Sequence, residues 1–247
     1  MDREPPTGPR AVAALCYPRY HSGCLARAVR LEAAGVEEIL FCGSSHVLVR
    51  PGVIVEVLGK GHASTVVAAT SRYGLVAVKA RRTDSKRESL AREAGILRRA
   101  CRVGATPCPY YADDDLIVMD LVAGPPLGEA LHEHTANGLI HVVEEAVEAA
   151  YALDTAMVLH KELGRPWKHI LFTGPPHLSK ALVIDLESAS TEKCGNVPKV
   201  VGAILAKLDI DPGPLRGTLR RYKDNGCPSS LYGEILNMVR AILLDVG

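Results

Sequence analysis

Two short strings about a hundred residues apart carry the clearest chemistry in this 247-residue chain: Ala77-Val78-Lys79 ends one apolar run, and Ile184-Asp185-Leu186-Glu187 ends another. A lysine at the end of a buried strand needs a partner, because an unpaired buried charge is costly. Glu93 is the natural partner, since Glu93-Ala94-Gly95-Ile96-Leu97 continues as an amphipathic helix; Glu88 competes for the role. Such a Lys–Glu pair can hold the α- and β-phosphates of ATP. A carboxylate delivered at a strand end, as Asp185 would be, supplies the hard oxygen that Mg²⁺ prefers.

Other segments fall into order around these two. Gly59-Lys60-Gly61-His62-Ala63-Ser64-Thr65-Val66 fits the pattern GxGxxGxV except for Ser64 in the third glycine place. Glycines let backbone amides approach phosphate oxygens. The strand–turn–strand setting separates this turn from a dinucleotide fingerprint, which opens a helix. Met119-Asp120-Leu121-Val122-Ala123-Gly124 suits a hinge whose Asp120 carbonyl and Val122 amide could read an adenine edge. In His160-Lys161-Glu162-Leu163 the carboxylate of Glu162 can accept or orient the proton of an acceptor hydroxyl. Lys168-His169 then precede the apolar Ile170-Leu171-Phe172.

These residues need elements to position them. Residues 1–10 read as a disordered tail and residues 11–50 as a small leading unit. In that unit Cys24 to Ala34 is helical, with Leu25, Ala28, Val29 and Leu31 apolar and Arg27, Arg30 and Glu32 polar, and Gly35 is a C-cap. Glu38 to Cys42 follows as a strand. Val53–Leu58, Ser64–Thr70 and Leu75–Ala80 read as a three-stranded antiparallel meander. Residues 84–101 read as a helix capped by Asp84 or Ser85, and Leu116–Met119 as a buried strand. A long helix is expected from Gly138 to about Leu159, with Glu144, Glu145 and Glu148 on its wet side. Ala181–Ile184 is a short strand, and after Pro198 the chain is mostly helical, broken at Pro212-Gly213-Pro214. A β-rich first part and an α-rich second part give an α+β fold in two lobes: an extension over 1–50, an N-lobe over 51–123 and a C-lobe over 124–247.

Composition sets wider bounds. A hydrophobic content of 47% with 23% charged residues is globular, and a net charge of +1 names no partner. No apolar run is long enough to span a membrane, and the polar, proline-rich start lacks the layout of a secretion signal, so the expected location is cytoplasmic, with no membrane partner. None of the seven cysteines forms a CxxC pair; they read as buried or idle thiols, with an internal disulfide as the alternative. From Lys79 to Arg102 there are nine Lys/Arg and three Asp/Glu, either a solvated face or a docking surface for RNA or an acidic protein.

The ordered set resembles the eukaryotic-like protein kinase superfamily, and in style its small archaeal serine/threonine kinases, relatives of the RIO kinases and of the small kinase of the KEOPS tRNA-modifying complex. The resemblance covers roughly residues 53–245. It implies ATP and Mg²⁺ as cofactors. It implies a catalytic set of Glu162, Lys79, Asp185 and Lys168, metal ligands Asp185 and His169, and a nucleotide set of Gly59, Gly61, Ser64, Val66, Ala77, Lys79, Glu93, Asp120, Val122 and Leu171. The acceptor it implies is a protein hydroxyl, or the chain itself by autophosphorylation, with RNA or an RNA-associated complex reached through residues 79–102. The chain departs from the family pattern in three places. Glu162 replaces the catalytic aspartate, Trp167 stands where an asparagine is expected, and Leu186-Glu187 replace Phe-Gly, with no Ala-Pro-Glu downstream. A small-molecule kinase, a nucleotide-binding pseudokinase and a nucleic-acid-binding module are the alternatives.

Overall fold

The computed structural model describes residues 2–50, 52–133 and 135–246. The elements are β1 (Asp2–Glu4), α1 (Pro9–Leu15), α2 (Cys24–Ala33), β2 (Val36–Phe41), β3 (Ser45–Arg50), β4 (Val53–Val57), β5 (Gly59–Lys60), β6 (Ser64–Ser71), β7 (Gly74–Arg81), α3 (Ala91–Cys101), β8 (Pro109–Ala112) and β9 (Leu116–Asp120). There follow α4 (Leu127–Ala130), α5 (Ala136–Thr155), β10 (Val158–Leu159), β11 (Ile170–Phe172), β12 (Ala181–Val183), β13 (Ser190–Thr191), α6 (Asn196–Lys207), α7 (Gly213–Asp224) and α8 (Ser229–Val246). The chain is α+β with an antiparallel sheet, and it divides into two compact units: Met1–Gly95 with Cys108–Leu121, and Ile96–Pro107 with Val122–Gly247.

In the first unit the sheet runs β1-β2-β6-β7-β9-β8, with β5 added on β6. Strand β7 has neighbours on both sides and is buried on both faces, which is why it reads as one apolar run. Side chains alternate between its faces. Val76, Val78 and Ala80 join Val67, Ala69, Leu116 and Val118 in a core shared with Ala11, Val12 and Leu15 of α1, Ala28 and Leu31 of α2, and Val47 and Val55 of the β3–β4 hairpin. Ala77 and Lys79 therefore belong to the other face, in register with Ala68 and Val66 on one side and with Met119 and Ile117 on the other.

Several expectations change here. Residues 2–10 are an ordered strand and helix start: β1 pairs with β2, and the Glu4 carboxylate accepts the backbone amides of Arg10 and Ala11 in α1. The three-stranded meander is broken, because β4 pairs with β3 as a separate two-stranded sheet, and only Gly59–Lys60 reaches β6. Helix α2 turns differently from its apolar pattern: Leu25 and Val29 are 50% exposed, whereas Arg27 is 2% exposed. Arg27 donates through its two terminal nitrogens to the Leu15 and Arg81 carbonyls and to Asp115, while its buried Nε has no hydrogen-bond partner among the described residues. Helix α3 starts at Ala91 instead of residue 84, because the preceding polar side chains bond locally. Asp84 pairs with Arg82, and the Ser85 and Ser89 hydroxyls accept the Arg87 and Ala91 amides.

In the second unit α5 begins at Thr135, whose hydroxyl accepts the Gly138 amide, and ends before Met157 at φ 54°. Its three glutamates are tied down instead of simply solvated: Glu144 pairs with Arg240, Glu145 accepts the Ala181 amide, and Glu148 accepts the Tyr232 hydroxyl. Two short antiparallel pairs, β10–β13 and β11–β12, complete the unit with α4 and α6 to α8. The cysteines are not idle thiols. Cys16 is bonded to Cys24 and Cys194 to Cys227, Cys101 and Cys108 are oxidised as well, and Cys42 is the free thiol. Among the described residues no helix is long and apolar enough to cross a membrane.

Asp115 collects Arg27, Arg30 and Arg81. Burial raises its pKa, but the Arg81 hydrogen bond and the neighbouring guanidinium charges outweigh burial and hold it below the ordinary carboxylate value of 3.8. A depressed carboxylate contributes stability above its unfolded pKa that is lost as pH falls through its folded one. Asp115→Asn leaves Arg27 buried without its counter-charge and is expected to cost about 3 kcal/mol at neutral pH in urea unfolding. The difference between wild type and variant should shrink below about pH 3.8; an unchanged midpoint at neutral pH would refute the assignment.

Candidate functional site

The first unit supplies a lysine–glutamate pair. Lys79 Nζ lies 2.6 Å from Glu93 Oε1, and the two residues are 4% and 2% exposed. Glu93 is thus the partner in place of Glu88, and it stands in the first turn of α3, where a carboxylate also meets the positive end of the helix dipole. Strand register lines up the rest: Gly59 faces Val66, Val66 faces Lys79, and Lys79 faces Ile117 across four adjacent strands. Residues paired in this way share a sheet face, so the glycine turn, Val66, Ala77 two residues along, and the ammonium lie on one surface.

The glycine turn itself is held closed. The Gly61 amide donates to the Ser64 carbonyl at 2.9 Å, and the Gly61 carbonyl accepts from Arg82 at 3.0 Å. Neither Gly59 nor Gly61 has a positive φ, and a Cβ at either would make only ordinary contacts at 3.6–4.0 Å, so the turn's own fold does not require glycine there. Ser64 is buried. Asp120 accepts the Cys108 amide at 2.7 Å and the Tyr110 hydroxyl through its side chain, which fixes the end of β9. Of the basic run, Lys79, Arg81 and Arg82 are paired with Glu93, Asp115 and Asp84. The run is therefore not one basic face; Arg98, Arg99 and Arg102 are exposed at its far end.

The second unit brings Glu162, His169, His160 and Asp185 together. His160 is fully buried. Its Nδ1 accepts the Glu162 amide at 3.1 Å, so the ring is neutral with its proton on Nε2, which donates to the Asp185 carbonyl at 2.9 Å. Burial, with His169 nearby, lowers its pKa and agrees with that tautomer. Asp185 has φ 60° and ψ 63°, a left-handed conformation that Asp and Asn tolerate and that clusters at functional positions. Glu162 is exposed and lies 3.2 Å from Nε2 of His169, the residue offered above as a metal ligand. Lys168 is exposed at the end of the 3-10 turn Pro166–Lys168. Leu171 pairs with Leu182 and bridges to Pro126. Two residues after Val122, Gly124 donates to the Phe172 carbonyl so closely that a Cβ there would sit 2.3 Å from that oxygen.

A support that spacing alone did not reveal lies under this loop. The Asp154 carboxylate accepts the Gly195, Asn196 and Val197 amides at 2.7–3.1 Å, the Asn196 side chain at 2.7 Å and the Tyr222 hydroxyl at 2.9 Å. Burial raises its pKa, against the pull of those donors. Asn196 Oδ1 then accepts the His160 amide at 2.9 Å, and Lys199 donates to the His160 carbonyl at 2.8 Å. The chain of contacts therefore runs from Asp154 through Asn196 and His160 to Asp185. Gly195-Asn196 at a helix start was the one sequence signal for it.

Compared with known proteins, the chain is matched by no family model and by no curated protein.

Asp154→Ala strands several buried donors at once and is expected to cost at least about 3 kcal/mol, since each orphaned buried donor costs about 1–3 kcal/mol. Urea unfolding checks it: a loss under about 1 kcal/mol would remove the anchoring role.

Proposed function

We propose that the chain is a protein-kinase-like phosphotransferase that moves the γ-phosphoryl group of ATP to a serine or threonine hydroxyl. The observation that carries this reading is the buried Lys79–Glu93 pair on the same sheet face, and in the same register row, as the glycine turn. A buried ion pair is a poor device for stability, because desolvating both charges offsets their attraction. Its retention in an otherwise apolar surface is better explained by use, here the holding of nucleotide phosphates.

In this reading Gly59, Gly61, Ser64 and Val66 cover the phosphates, with the Asp120 carbonyl and Val122 amide reading the adenine edge. Asp185 would hold Mg²⁺; hard carboxylate oxygen suits that ion, and the left-handed backbone with its carbonyl fixed by His160 sets where the side chain starts. Mg²⁺, when bound, neutralises phosphate charge. Glu162 takes the proton of the acceptor hydroxyl, and His169 holds the carboxylate in place. As the acceptor oxygen bonds to the γ-phosphorus, the bond to the leaving oxygen breaks and its electron pair departs with ADP. The two-lobed kinase-like architecture belongs to this proposal.

The test is transfer of labelled γ-phosphate from Mg²⁺-ATP to protein acceptors or to the chain itself, with wild type beside Lys79→Ala and Asp185→Asn. Asparagine tolerates the left-handed backbone, so Asp185→Asn removes the charge without adding strain. Each variant is expected to lose on the order of 100-fold or more in rate. Nucleotide binding without transfer in wild type would favour the pseudokinase alternative; no nucleotide binding at all would overturn the proposal.

A further inference from the structure

The loop that carries Glu162 also carries two cations, Lys161 and Arg165, that no carboxylate among the described residues pairs with. Lys161, Glu162, Gly164, Arg165 and His169 line an open cavity of about 420 Å³ in the second unit. The segment Lys161–Gly164 is a 3-10 turn, closed by the Arg165 amide donating to the Glu162 carbonyl at 2.9 Å. Arg165 caps this turn at φ −135° and ψ 71°, outside its helical geometry, and lines the same cavity as Glu162. Yet Glu162 pairs with His169 instead, and among the described residues neither Lys161 nor Arg165 is in an ion pair. Arg10, Arg27, Arg30, Arg81, Arg82 and Arg240, by contrast, all meet carboxylates. A Cβ at Gly164 would meet nothing within 4 Å, so the floor beside Glu162 is clear.

We propose that this cavity receives the acceptor and selects a serine or threonine in an acidic polypeptide segment, with Lys161 and Arg165 binding the anionic side chains next to the hydroxyl. The inference rests on the phosphotransferase reading above, with Glu162 as proton acceptor. A polypeptide fits better than a small alcohol because Lys161, Glu162, Gly164 and Arg165 are all exposed. Sites for small ligands bury most of the ligand surface, whereas an extended segment needs only a rim of complementary charge.

The experiment compares matched serine peptides flanked by aspartate, phosphoserine, alanine or arginine as acceptors for the full chain, with Lys79→Ala as the transfer-dead control. Wild type is expected to prefer acidic over neutral flanks by roughly fivefold in kcat/KM, expressed mainly in KM and weakened by salt, as exposed charge pairs dictate. Lys161→Glu and Arg165→Glu should each reduce that ratio and improve use of the arginine-flanked peptide, a gain that a merely misfolded variant cannot show. A phosphoserine advantage over aspartate would assign the preference to phosphate, and the reverse order to carboxylate; both support an anionic segment. Lys79-dependent transfer that is indifferent to flanking charge, or a preference that both reversals leave intact, overturns this inference alone. Absence of any Lys79-dependent transfer overturns the functional reading, and this inference with it.

Discussion

An ammonium held 2.6 Å from a carboxylate on a nearly dry sheet face is the constraint around which the first unit is arranged. Burying two charges has a large solvation cost that only close, fixed geometry can offset. The lysine must therefore come from a strand that cannot shift, and β7 is paired with β6 along its length and with β9 over Val76–Ala80. The glutamate must come from a helix whose start is fixed, and the local bonds of Asp84, Ser85 and Ser89 fix it at Ala91. With one sheet face committed to this pair, the apolar weight of the unit falls on the other face, where α1, α2 and the β3–β4 hairpin cover it.

The second unit solves a related problem with a different device. The loop that carries Glu162 is exposed at Lys161, Glu162, Gly164 and Arg165, with only Leu163 and Pro166 turned inward. Rigidity is supplied from below by a relay of hydrogen bonds: Asp154 gathers the first turn of α6, Asn196 and Lys199 grip the His160 backbone, and the His160 ring reaches the Asp185 carbonyl. The neutral imidazole suits this task because one nitrogen accepts and the other donates. The outermost groups, Glu162 and its neighbours Lys161, Gly164 and Arg165, are exposed.

Much of this order was legible in the sequence. Apolar runs marked β6, β7, β9 and β12, and the choice of Glu93 over Glu88 followed from the apolar spacing that continues beyond it. Several misreadings share one cause: polar groups whose partners lie far along the chain. Arg27 was placed on the wet side of α2 because its counter-charge, Asp115, is 88 residues away. The glutamates of α5 looked solvated because Arg240 and Tyr232 come much later. The β3–β4 pairing was missed because a run of β-branched residues does not state which neighbour it will bond. Cysteine spacing likewise did not disclose the bond between Cys194 and Cys227.

The covering of the β7 core face by the leading residues has a consequence for modularity. Val67, Val76, Val78 and Val118 are closed off from water by segments that precede the glycine turn. A boundary drawn at the start of the recognisable motifs would uncover a broad apolar surface of the kind that drives self-association. In this chain the region with the least chemical signature and the region with the most are one folding unit. A domain swapped into another protein, or trimmed to its motifs, would have to carry its first fifty-odd residues along as part of its core.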